Sequence, residues 1–391
     1  MNIALFASAF HPSLGGVEEL CRQLALELMR QGHGVIVLTN RWPRDLPADE
    51  TIDGISVYRL PFRLPEGSAK AAINYHLTHR GIEREMLSIL RKHQINVLHV
   101  QCVSSNAHYA MIAQQKLNLP LVVTLQGELT MDANQIFQKS PQAQRILRTV
   151  LRRADGITAC SQRTLQDAEE FFGQPFKEKA RVVFNGVDFS EFENVKPHRH
   201  EYPYILSLGR LAPQKGFHTL IQAFGKSGLA DSTVLVIGGD GPEMDNLGTL
   251  ANNLGLADRI NFAGRLGREG VASYLAGCQF FVLASPAEPF GIVIIEAMAA
   301  GAPVIAVNNA GPAEIITDGA NGLLVDRSEP ELLAAAMQKV RSDHDLACRM
   351  GKAAKQRASE FAWPKIASEY LSAYAAAAAG VRPQNAMRKE Q

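Results

Sequence analysis

Two glutamates separated by a short apolar run are the residues whose types and spacing most clearly indicate a ligand. Glu288 stands in a loop before Pro289, and Glu296, eight positions later, opens a predicted helix that ends at Gly301. Negative charge near a helix N-terminus is favoured by roughly 0.3–1 kcal/mol, so Glu296 also has a purely structural explanation. Glu288 has none, and the pair therefore predicts contacts with a ligand that bears several hydroxyl groups. The backbone N–H groups expected beside Glu288 belong to Phe290, Gly291 and Ile292.

A second short loop, from Gly209 to Gly216, carries two cations directly after a predicted strand. In open α/β sheets, ligands bind beyond the carboxyl ends of the strands. Arg offers a fork that matches phosphate oxygens and Lys a compact charge, so Arg210 and Lys215 predict a diphosphate site. Two solvated surface charges are the alternative.

Three glycine-containing loops also follow predicted strands. Gly15-Gly16 precedes the first helix, whose free N–H groups and positive dipole end suit a phosphate. The segments 239–242 and 264–266 would let the backbone approach a nucleotide and a base edge. A tight turn is the alternative explanation for each. None of the three is the dinucleotide pattern G-x-G-x-x-G, and no P-loop lysine follows the first.

The elements that must position these loops are two sets of short strands that alternate with helical patterns. The first set is predicted at Ile3–Ala7, Val35–Thr39, Ser56–Leu60, Val97–Gln101, Leu121–Leu125, Gly156–Cys160 and Val182–Phe184. The second is predicted at Tyr204–Leu208, Thr233–Ile237, Arg259–Phe262, Phe280–Leu283, Pro303–Val307 and Leu323–Val325. Alternation of this kind predicts parallel sheets with helices on both faces. We therefore expect an α/β protein with two Rossmann-like, doubly wound domains that face each other across a cleft.

The polar segment 188–202 divides the two sets of strands and predicts the domain boundary. We place the first domain at residues 1–188, completed by a C-terminal helix at about 362–379, and the second at 189–361. The polar residues 380–391 predict a disordered tail.

Composition excludes several classes of protein. The 391 residues include 40 Lys+Arg and 39 Asp+Glu, so the net charge of +1 gives no reason to expect binding to nucleic acid. The 5 cysteines form no C-x-x-C pair, which favours reduced thiols. The sequence shows neither a signal-peptide pattern nor an apolar run of about 20 residues, so we expect a cytoplasmic protein without a membrane span.

Taken together, these motifs resemble glycosyltransferase family 4, a family of retaining enzymes with the GT-B architecture. The resemblance extends from about residue 2 to about residue 375. It rests on Gly15-Gly16, Gly209-Arg210 with Lys215-Gly216, Gly239-Asp240-Gly241-Pro242, and the E-x7-E spacing of Glu288 and Glu296.

The resemblance implies a role for each of these residues. The second domain would bind a UDP- or GDP-linked sugar donor, and the first domain the acceptor. Arg210 and Lys215 would neutralise the leaving diphosphate, Glu288 would hold a hydroxyl of the donor sugar, and Glu296 the ribose hydroxyls. Arg210, Lys215 and Glu288 would thus form the catalytic set. The other implied donor contacts are Gly15, Gly16, Gly209, Gly239, Gly241, Arg265, Leu266, Phe290, Gly291 and Ile292.

The implied reaction moves a sugar, with retention, to a hydroxyl of a glycan, a glycolipid or a small-molecule glycoside. The resemblance also implies that neither a divalent metal nor another cofactor is needed, and fixed cations and N–H groups would stabilise the charge that develops on the diphosphate instead. In family proposals the leaving phosphate helps to deprotonate the incoming hydroxyl. The two glutamates are then not the acid and nucleophile pair of a glycosidase.

One position departs from the family pattern. Many relatives carry a histidine in the loop that here spans residues 124–128, where Gln126 takes its place. Gln126 cannot become charged but can hydrogen-bond a sugar hydroxyl, so we keep it as a donor contact. Glu128, in the same loop, is a candidate carboxylate of the acceptor region.

Other activities remain alternatives. A nucleotide-sugar-binding protein or an epimerase on the same fold would use the same loops without transferring a sugar. A phosphorylase would need a pyridoxal-phosphate lysine and a longer chain, and a nicotinamide oxidoreductase would need G-x-G-x-x-G after the first strand.

The expected partners are a nucleotide sugar and a carbohydrate or lipid-linked acceptor. The basic segment Lys139–Arg153, with interleaved apolar residues, predicts either a peripheral contact with the inner face of the membrane or a solvated helix face. The sequence gives no signal about the oligomeric state. Asp343-His344-Asp345 is the one D-x-D in the chain, and its place between two helical patterns favours helix capping over metal binding.

Overall fold

A computed structural model describes residues 1–13, 15–64, 69–130 and 136–380 of the 391-residue chain. The chain divides into two compact units. Unit 1 combines Met1–Gly186 with the C-terminal segment that begins at Trp363, and unit 2 is Val187–Ala362.

Unit 1 contains an eight-stranded sheet. Its order is β3-β4-β2-β1-β5-β6-β7-β8, and every neighbouring pair is parallel except β3 with β4. The strands are β1 (Asn2–Ala7), β2 (Gly34–Asn40), β3 (Asp49–Ile52), β4 (Ile55–Leu60), β5 (Val97–Gln101), β6 (Leu121–Leu125), β7 (Gly156–Ala159) and β8 (Ala180–Val182).

Unit 2 contains a six-stranded, all-parallel sheet in the order β11-β10-β9-β12-β13-β14. Counted within the unit this is the order 3-2-1-4-5-6 of a doubly wound dinucleotide-binding fold. The strands are β9 (Tyr204–Leu208), β10 (Val234–Gly238), β11 (Ile260–Gly264), β12 (Phe281–Leu283), β13 (Val304–Val307) and β14 (Leu323–Val325).

Helices connect the strands in both units. Those of unit 1 are α1 (Gly16–Arg30), α2 (Ala69–Lys92), α3 (Ser105–Leu117), α4 (Ile136–Lys139), α5 (Pro141–Arg153) and α6 (Gln162–Phe172). Those of unit 2 are α7 (Phe217–Lys226), α8 (Met244–Asn253), α9 (Arg268–Gly277), α10 (Ile292–Ala299), α11 (Ala310–Ile315), α12 (Pro330–Ser342) and α13 (His344–Ala358). The last helix, α14 (Trp363–Gly380), belongs to unit 1.

Burial on both faces of the sheets explains why the strands are continuous apolar runs in the sequence. Every residue of β5, β6, β9 and β10 is buried, because helices cover both faces of each sheet. Asp49 and Glu50 open β3, an antiparallel edge strand of partly exposed residues that the sequence pattern did not predict. The strand predicted at 182–184 ends instead at Val182. The prediction of a disordered tail, from residue 381 onward, lies outside the described residues.

A buried histidine joins α14 to the sheet of unit 1. The helix packs on α1, β6 and β7. The side chain of His99 in β5 lies between two hydroxyls, with Nδ1 at 2.7 Å from the Tyr374 hydroxyl and Nε2 at 2.7 Å from Thr124 Oγ1. The last helix therefore completes unit 1 through a polar contact in its interior as well as through apolar packing. Within the described ranges, no helix has the length and apolar character that crossing a membrane requires.

We predict that His99 makes unit 1 sensitive to acid. Burial lowers its pKa from 6.5 to about 3, so below about pH 6.5 the unfolded chain binds a proton that the folded chain does not. The free energy of unfolding should therefore fall as the pH falls, by up to about 1.4 kcal/mol per pH unit. Urea denaturation over the range from about pH 7.5 to about pH 5 measures the slope. His99→Gln should flatten it and His344→Gln, at an exposed position, should not; equal slopes in the wild type and His99→Gln would contradict the assignment.

Candidate functional site

The predicted donor loops of unit 2 meet at the point where the strand order reverses. β9 and β12 are neighbours in the sheet although they are the first and fourth strands of the unit. The loop from Gly209 to Gly216 follows β9, and the loop that carries Glu288 follows β12. Because a crevice opens outside the carboxyl ends of two such strands, this is the expected ligand position in a doubly wound sheet.

An ion pair bridges that crevice. Lys215 Nζ lies 2.6 Å from Glu288 Oε2, and the Glu288 residue is only 8% exposed. The sequence predicted a role for each residue but not their contact, which spans 73 positions of the chain. The pair brings a cation suited to phosphate and a carboxylate suited to a hydroxyl to one place.

Asn309, which the sequence analysis missed, fixes the Glu288 loop. Its Oδ1 accepts a hydrogen bond of 3.0 Å from the Glu288 backbone N–H, and its Nδ2 donates to the Ser285 carbonyl at 2.9 Å. The Gly311 N–H donates to the Glu288 carbonyl at 3.1 Å. The sequence did contain a signal for this role. Asn309 stands just after β13, at the same edge of the sheet as the loops after β9 and β12.

Glu296 does not open the helix as predicted but is buried in the second turn of α10, which begins at Ile292. A second residue that the sequence analysis missed contacts its carboxylate. Arg268 Nη1 lies 2.6 Å from Glu296 Oε1, and the same guanidinium contacts Glu191. Burial by itself would lower the Arg268 pKa, but the two carboxylates outweigh it and raise the pKa above its usual value. Arg268 begins α9, three positions after Arg265, so a cation at the end of β11 was visible in the sequence.

The glycines at 239 and 241 are required by contact between loops. A Cβ added to Gly239, whose φ is +141°, would lie 1.9 Å from the Gly209 carbonyl oxygen. One added to Gly241 would lie 2.4 Å from the Leu211 carbonyl oxygen. The loops after β9 and β10 therefore touch backbone to backbone, which gives these glycines a role in packing apart from any ligand.

The remaining predicted residues of unit 2 surround the same edge. Gly291, with φ +95°, precedes α10, and the Ile294 N–H in the first turn of that helix donates to the Gly291 carbonyl at 2.8 Å. The side chain of Phe290 is buried against Phe361, with ring centroids 5.9 Å apart. Three other predicted residues stand at the ends of β9 and β11, with both arginines exposed and the leucine half-buried: Arg210, Arg265 and Leu266.

In unit 1, Gly15 and Gly16 lie at the N-terminus of α1, beyond the end of β1. Gly15 has an extended backbone with φ −156°, so its conformation does not require glycine. The three atoms nearest to a Cβ there belong to the Glu18 side chain, whose Oε2 would be 2.4 Å away. The absence of a side chain at Gly15 thus leaves the start of α1 open rather than relieving strain.

Gln126 is held by a reciprocal pair of hydrogen bonds. Its Nε2 donates to Asn185 Oδ1 and its Oε1 accepts from Asn185 Nδ2, each at 3.0 Å. The Asn185 side chain is buried. A sugar hydroxyl that bound Gln126 would have to share the amide with Asn185 or replace it.

Glu128 joins two loops of unit 1. Its carboxylate accepts hydrogen bonds of 2.8 Å from the N–H groups of Val103 and Gln126. Burial raises the pKa of Glu128, although these backbone donors partly offset the shift. The buried carboxylate therefore positions the segments after β5 and β6, and its part in the acceptor region stays a prediction.

No three His, Cys, Asp or Glu side chains within the described ranges are arranged to hold a metal ion. The D-x-D segment caps a helix as expected, since Asp343 Oδ1 accepts a hydrogen bond of 2.8 Å from the Leu346 N–H at the start of α13.

Comparison with known proteins identifies the family. The sequence model described as "Glycosyltransferase Family 4" matches residues 14–191, and that described as "Glycosyl transferases group 1" matches residues 188–357. An uncharacterised glycosyltransferase of Methanocaldococcus jannaschii is 28% identical over 96% of this chain and 98% of its own length. A GDP-mannose-dependent alpha-mannosyltransferase of Mycolicibacterium smegmatis is 28% identical over 96% of this chain and 97% of its own.

Solved structures agree in fold. Sucrose-phosphate synthase from Thermosynechococcus elongatus aligns with a TM-score of 0.79 and 21% identity, over 96% of this chain and 98% of that one. Anabaena HepE in complex with UDP aligns with a TM-score of 0.76 and 21% identity, over 96% and 100%. The predicted α/β class with two Rossmann-like domains is confirmed, and the fold is GT-B. The chain belongs to glycosyltransferase family 4.

We predict that Gly239→Ala destabilises unit 2 while a matched glycine change does not. At position 239 the new methyl group would collide with a backbone carbonyl and the φ of +141° would be strained. We expect the free energy of unfolding to fall by at least about 2 kcal/mol. Gly248→Ala, in α8 with no atom within 4 Å of the new Cβ, should raise it by up to about 1 kcal/mol. Calorimetric unfolding measures both; equal effects would contradict the loop-packing role.

Proposed function

We propose that this protein is a retaining glycosyltransferase that moves a sugar from a UDP- or GDP-linked donor to an acceptor hydroxyl. The observation that carries the proposal is the Lys215–Glu288 ion pair of 2.6 Å at the reversal point of the unit 2 sheet. Family membership supports sugar transfer. The UDP complex of HepE and the GDP-mannose-dependent relative support the two classes of donor.

Lys215 and Arg210 would stabilise the diphosphate as the sugar–phosphate bond breaks. Negative charge grows on the leaving group, and fixed cations stabilise it without rearrangement of solvent. Lys215 is held near this position by Glu288, and Arg210 is exposed on the same loop. The N–H groups of Gly291 and Ile292 and the start of α10 add positive partial charge.

Glu288 would bind a hydroxyl of the donor sugar. Its Oε2 accepts from Lys215, which leaves Oε1 for a hydroxyl donor. Lys215 would contact the diphosphate and Glu288 the sugar. Because the two side chains are paired, the ion pair would fix the position of one contact relative to the other. Glu288 thus acts as a clamp, and it does not form a covalent bond to the sugar.

Glu296 would hold the ribose hydroxyls, with Arg268 as the positioning residue. Arg268 contacts Oε1 of Glu296, so it sets the orientation of the carboxylate. If the leaving phosphate takes the proton of the acceptor hydroxyl, that hydroxyl attacks the sugar from the face that the phosphate leaves. The configuration of the sugar is then retained. This route needs no protein nucleophile, no divalent metal and no other cofactor.

The acceptor would be a carbohydrate or a lipid-linked glycan bound by unit 1. The exposed cations Arg145, Arg148 and Arg152 of α5 are suited to a peripheral contact with an anionic membrane. That contact would place a cytoplasmic enzyme at the inner face of the membrane, next to a lipid-linked substrate.

A panel of nucleotide sugars tests this function. We expect UDP- or GDP-sugars to raise the melting temperature and to be consumed when a glycan or lipid acceptor is present, with or without EDTA. Proton NMR of the first-formed product should show the anomeric configuration of the donor. An inverted product would overturn retention, and loss of turnover in EDTA would overturn metal independence. Donor binding without transfer or hydrolysis would favour a nucleotide-sugar-binding protein, and a change in the sugar itself would favour an epimerase.

Substitutions test the role of the ion pair. Lys215→Ala and Glu288→Ala should each lower kcat/KM for the donor by about 100-fold or more, because each removes an interaction with the reacting group. Lys226→Ala is the matched control, since Lys226 is an exposed lysine of α7 that pairs with an exposed glutamate, Glu331. Initial rates at varied donor concentration measure the change. Unchanged kcat/KM in both site variants would refute the assignment while leaving the fold intact.

A further inference from the structure

A groove of about 840 Å³ lies at the opposite edge of the unit 2 sheet from the donor loops. Gln279 and Phe280, which line it, directly precede β12, and Gly301 and Pro303 precede β13. All six strands run in the same direction. The groove is therefore at the amino ends of strands whose carboxyl ends carry the proposed donor site.

Its charge is of one sign. Arg341 from α12 and Lys352 and Lys355 from α13 line the groove, and no carboxylate is among the lining residues. Arg341 lies in the last turn of α12, where a cation suits the helix dipole. Lys355 likewise lies in the last turn of α13, whereas Lys352 lies inside that helix and has no such explanation. Three neighbouring cations with no carboxylate in the lining repel one another, and an anion would relieve that repulsion.

Two polar atoms of the lining residues lack partners. Arg341 Nε and Gln279 Oε1 are buried and form no hydrogen bond within the described part of the chain. A buried donor and a buried acceptor without partners are unfavourable. Both belong to residues on the walls of one groove, and a guest there would pair with them only after these two side chains turn toward it.

The groove also has apolar walls, and its lining includes two further polar side chains, His344 and Gln356. The apolar side chains are those of Phe189, Phe280, Pro303, Val340 and Ala347. A free inorganic ion would leave this surface uncovered, whereas a guest with an apolar part would bury it. Clefts of this size that combine apolar walls with a few polar groups are typical of small-molecule sites.

We propose that the groove binds an amphiphile that bears a phosphate group, at a site separate from the donor site. Phosphate fits better than a single carboxylate because it carries more charge for the three cations and matches the fork of Arg341. α10 begins at the Glu288 loop and ends beside Gly301, so one helix connects the proposed donor site to the groove. The proposal does not depend on the reaction that the protein catalyses.

Cys348 provides the readout. It lines the groove and is the exposed one of the five cysteines, all of which lie in the described residues. The other four react more slowly, because Cys21 and Cys160 are buried and because burial raises the pKa of Cys102 and raises that of Cys278 to about 12. A bound guest should shield Cys348 from a maleimide or disulfide reagent.

The experiment measures Cys348 modification in the full chain with hexyl phosphate, hexanol and inorganic phosphate. We expect hexyl phosphate to protect at lower concentration than either fragment. Lys352→Gln with Lys355→Gln should weaken protection by at least about tenfold. Arg349→Gln, an exposed cation of α13 that does not line the groove, should leave it unchanged. Lys215→Ala should also leave it unchanged, which separates this site from the donor site.

Dissolved hexyl phosphate and phosphatidylglycerol vesicles distinguish the source of the phosphate. Protection by the dissolved ester alone supports a free amphiphilic metabolite as the guest, and protection by vesicles supports a lipid headgroup. Absence of protection by every phosphate probe would overturn the proposal, as would equal protection in the wild type and the double lysine variant.

Discussion

The contact between Lys215 and Glu288 is the interaction on which the proposed chemistry depends. A parallel sheet opens a crevice only where its strand order reverses, and in unit 2 this occurs between β9 and β12. The two residues come from the loops after these strands and meet at 2.6 Å. One contact therefore defines where a diphosphate and a sugar would sit relative to each other, and a change in either loop alters both positions.

The surroundings of that pair explain why its geometry can be maintained. Asn309 holds the backbone on either side of the Glu288 loop, and Arg268 holds the carboxylate of Glu296. Gly239 permits backbone contact between the loops after β9 and β10. These groups are fixed by hydrogen bonds and by steric fit, so the electrostatic environment of a ligand is set before the ligand arrives.

Polar side chains of unit 1 are also held in place by hydrogen bonds to fixed partners. Glu128 and Gln126 are tied to neighbouring backbone and to Asn185, so the polar groups at the ends of β5 and β6 are positioned by one another. At the position where the resemblance predicts a histidine, Gln126 supplies an amide with a fixed partner, Asn185, instead of a titratable group. His99, in contrast, is buried beneath α14, and burial lowers its pKa. Its contact with the Tyr374 hydroxyl joins the last helix to the sheet.

The sequence by itself determined the class of fold and most of its strands, because buried parallel strands are apolar runs that alternate with helices. It also predicted ligand contacts for Lys215 and Glu288, because charged residues in loops directly after such strands have few structural reasons to be there, and for Glu296 through its spacing from Glu288; these roles stay predictions. It missed the polar edge strand β3, whose residues lack the apolar signal. Only the tertiary structure decided that Lys215 contacts Glu288, that Arg268 contacts Glu296, and that Asn309 anchors a loop. These contacts join residues distant in sequence, and the order of strands in the sheet, which no local pattern encodes, brings them together.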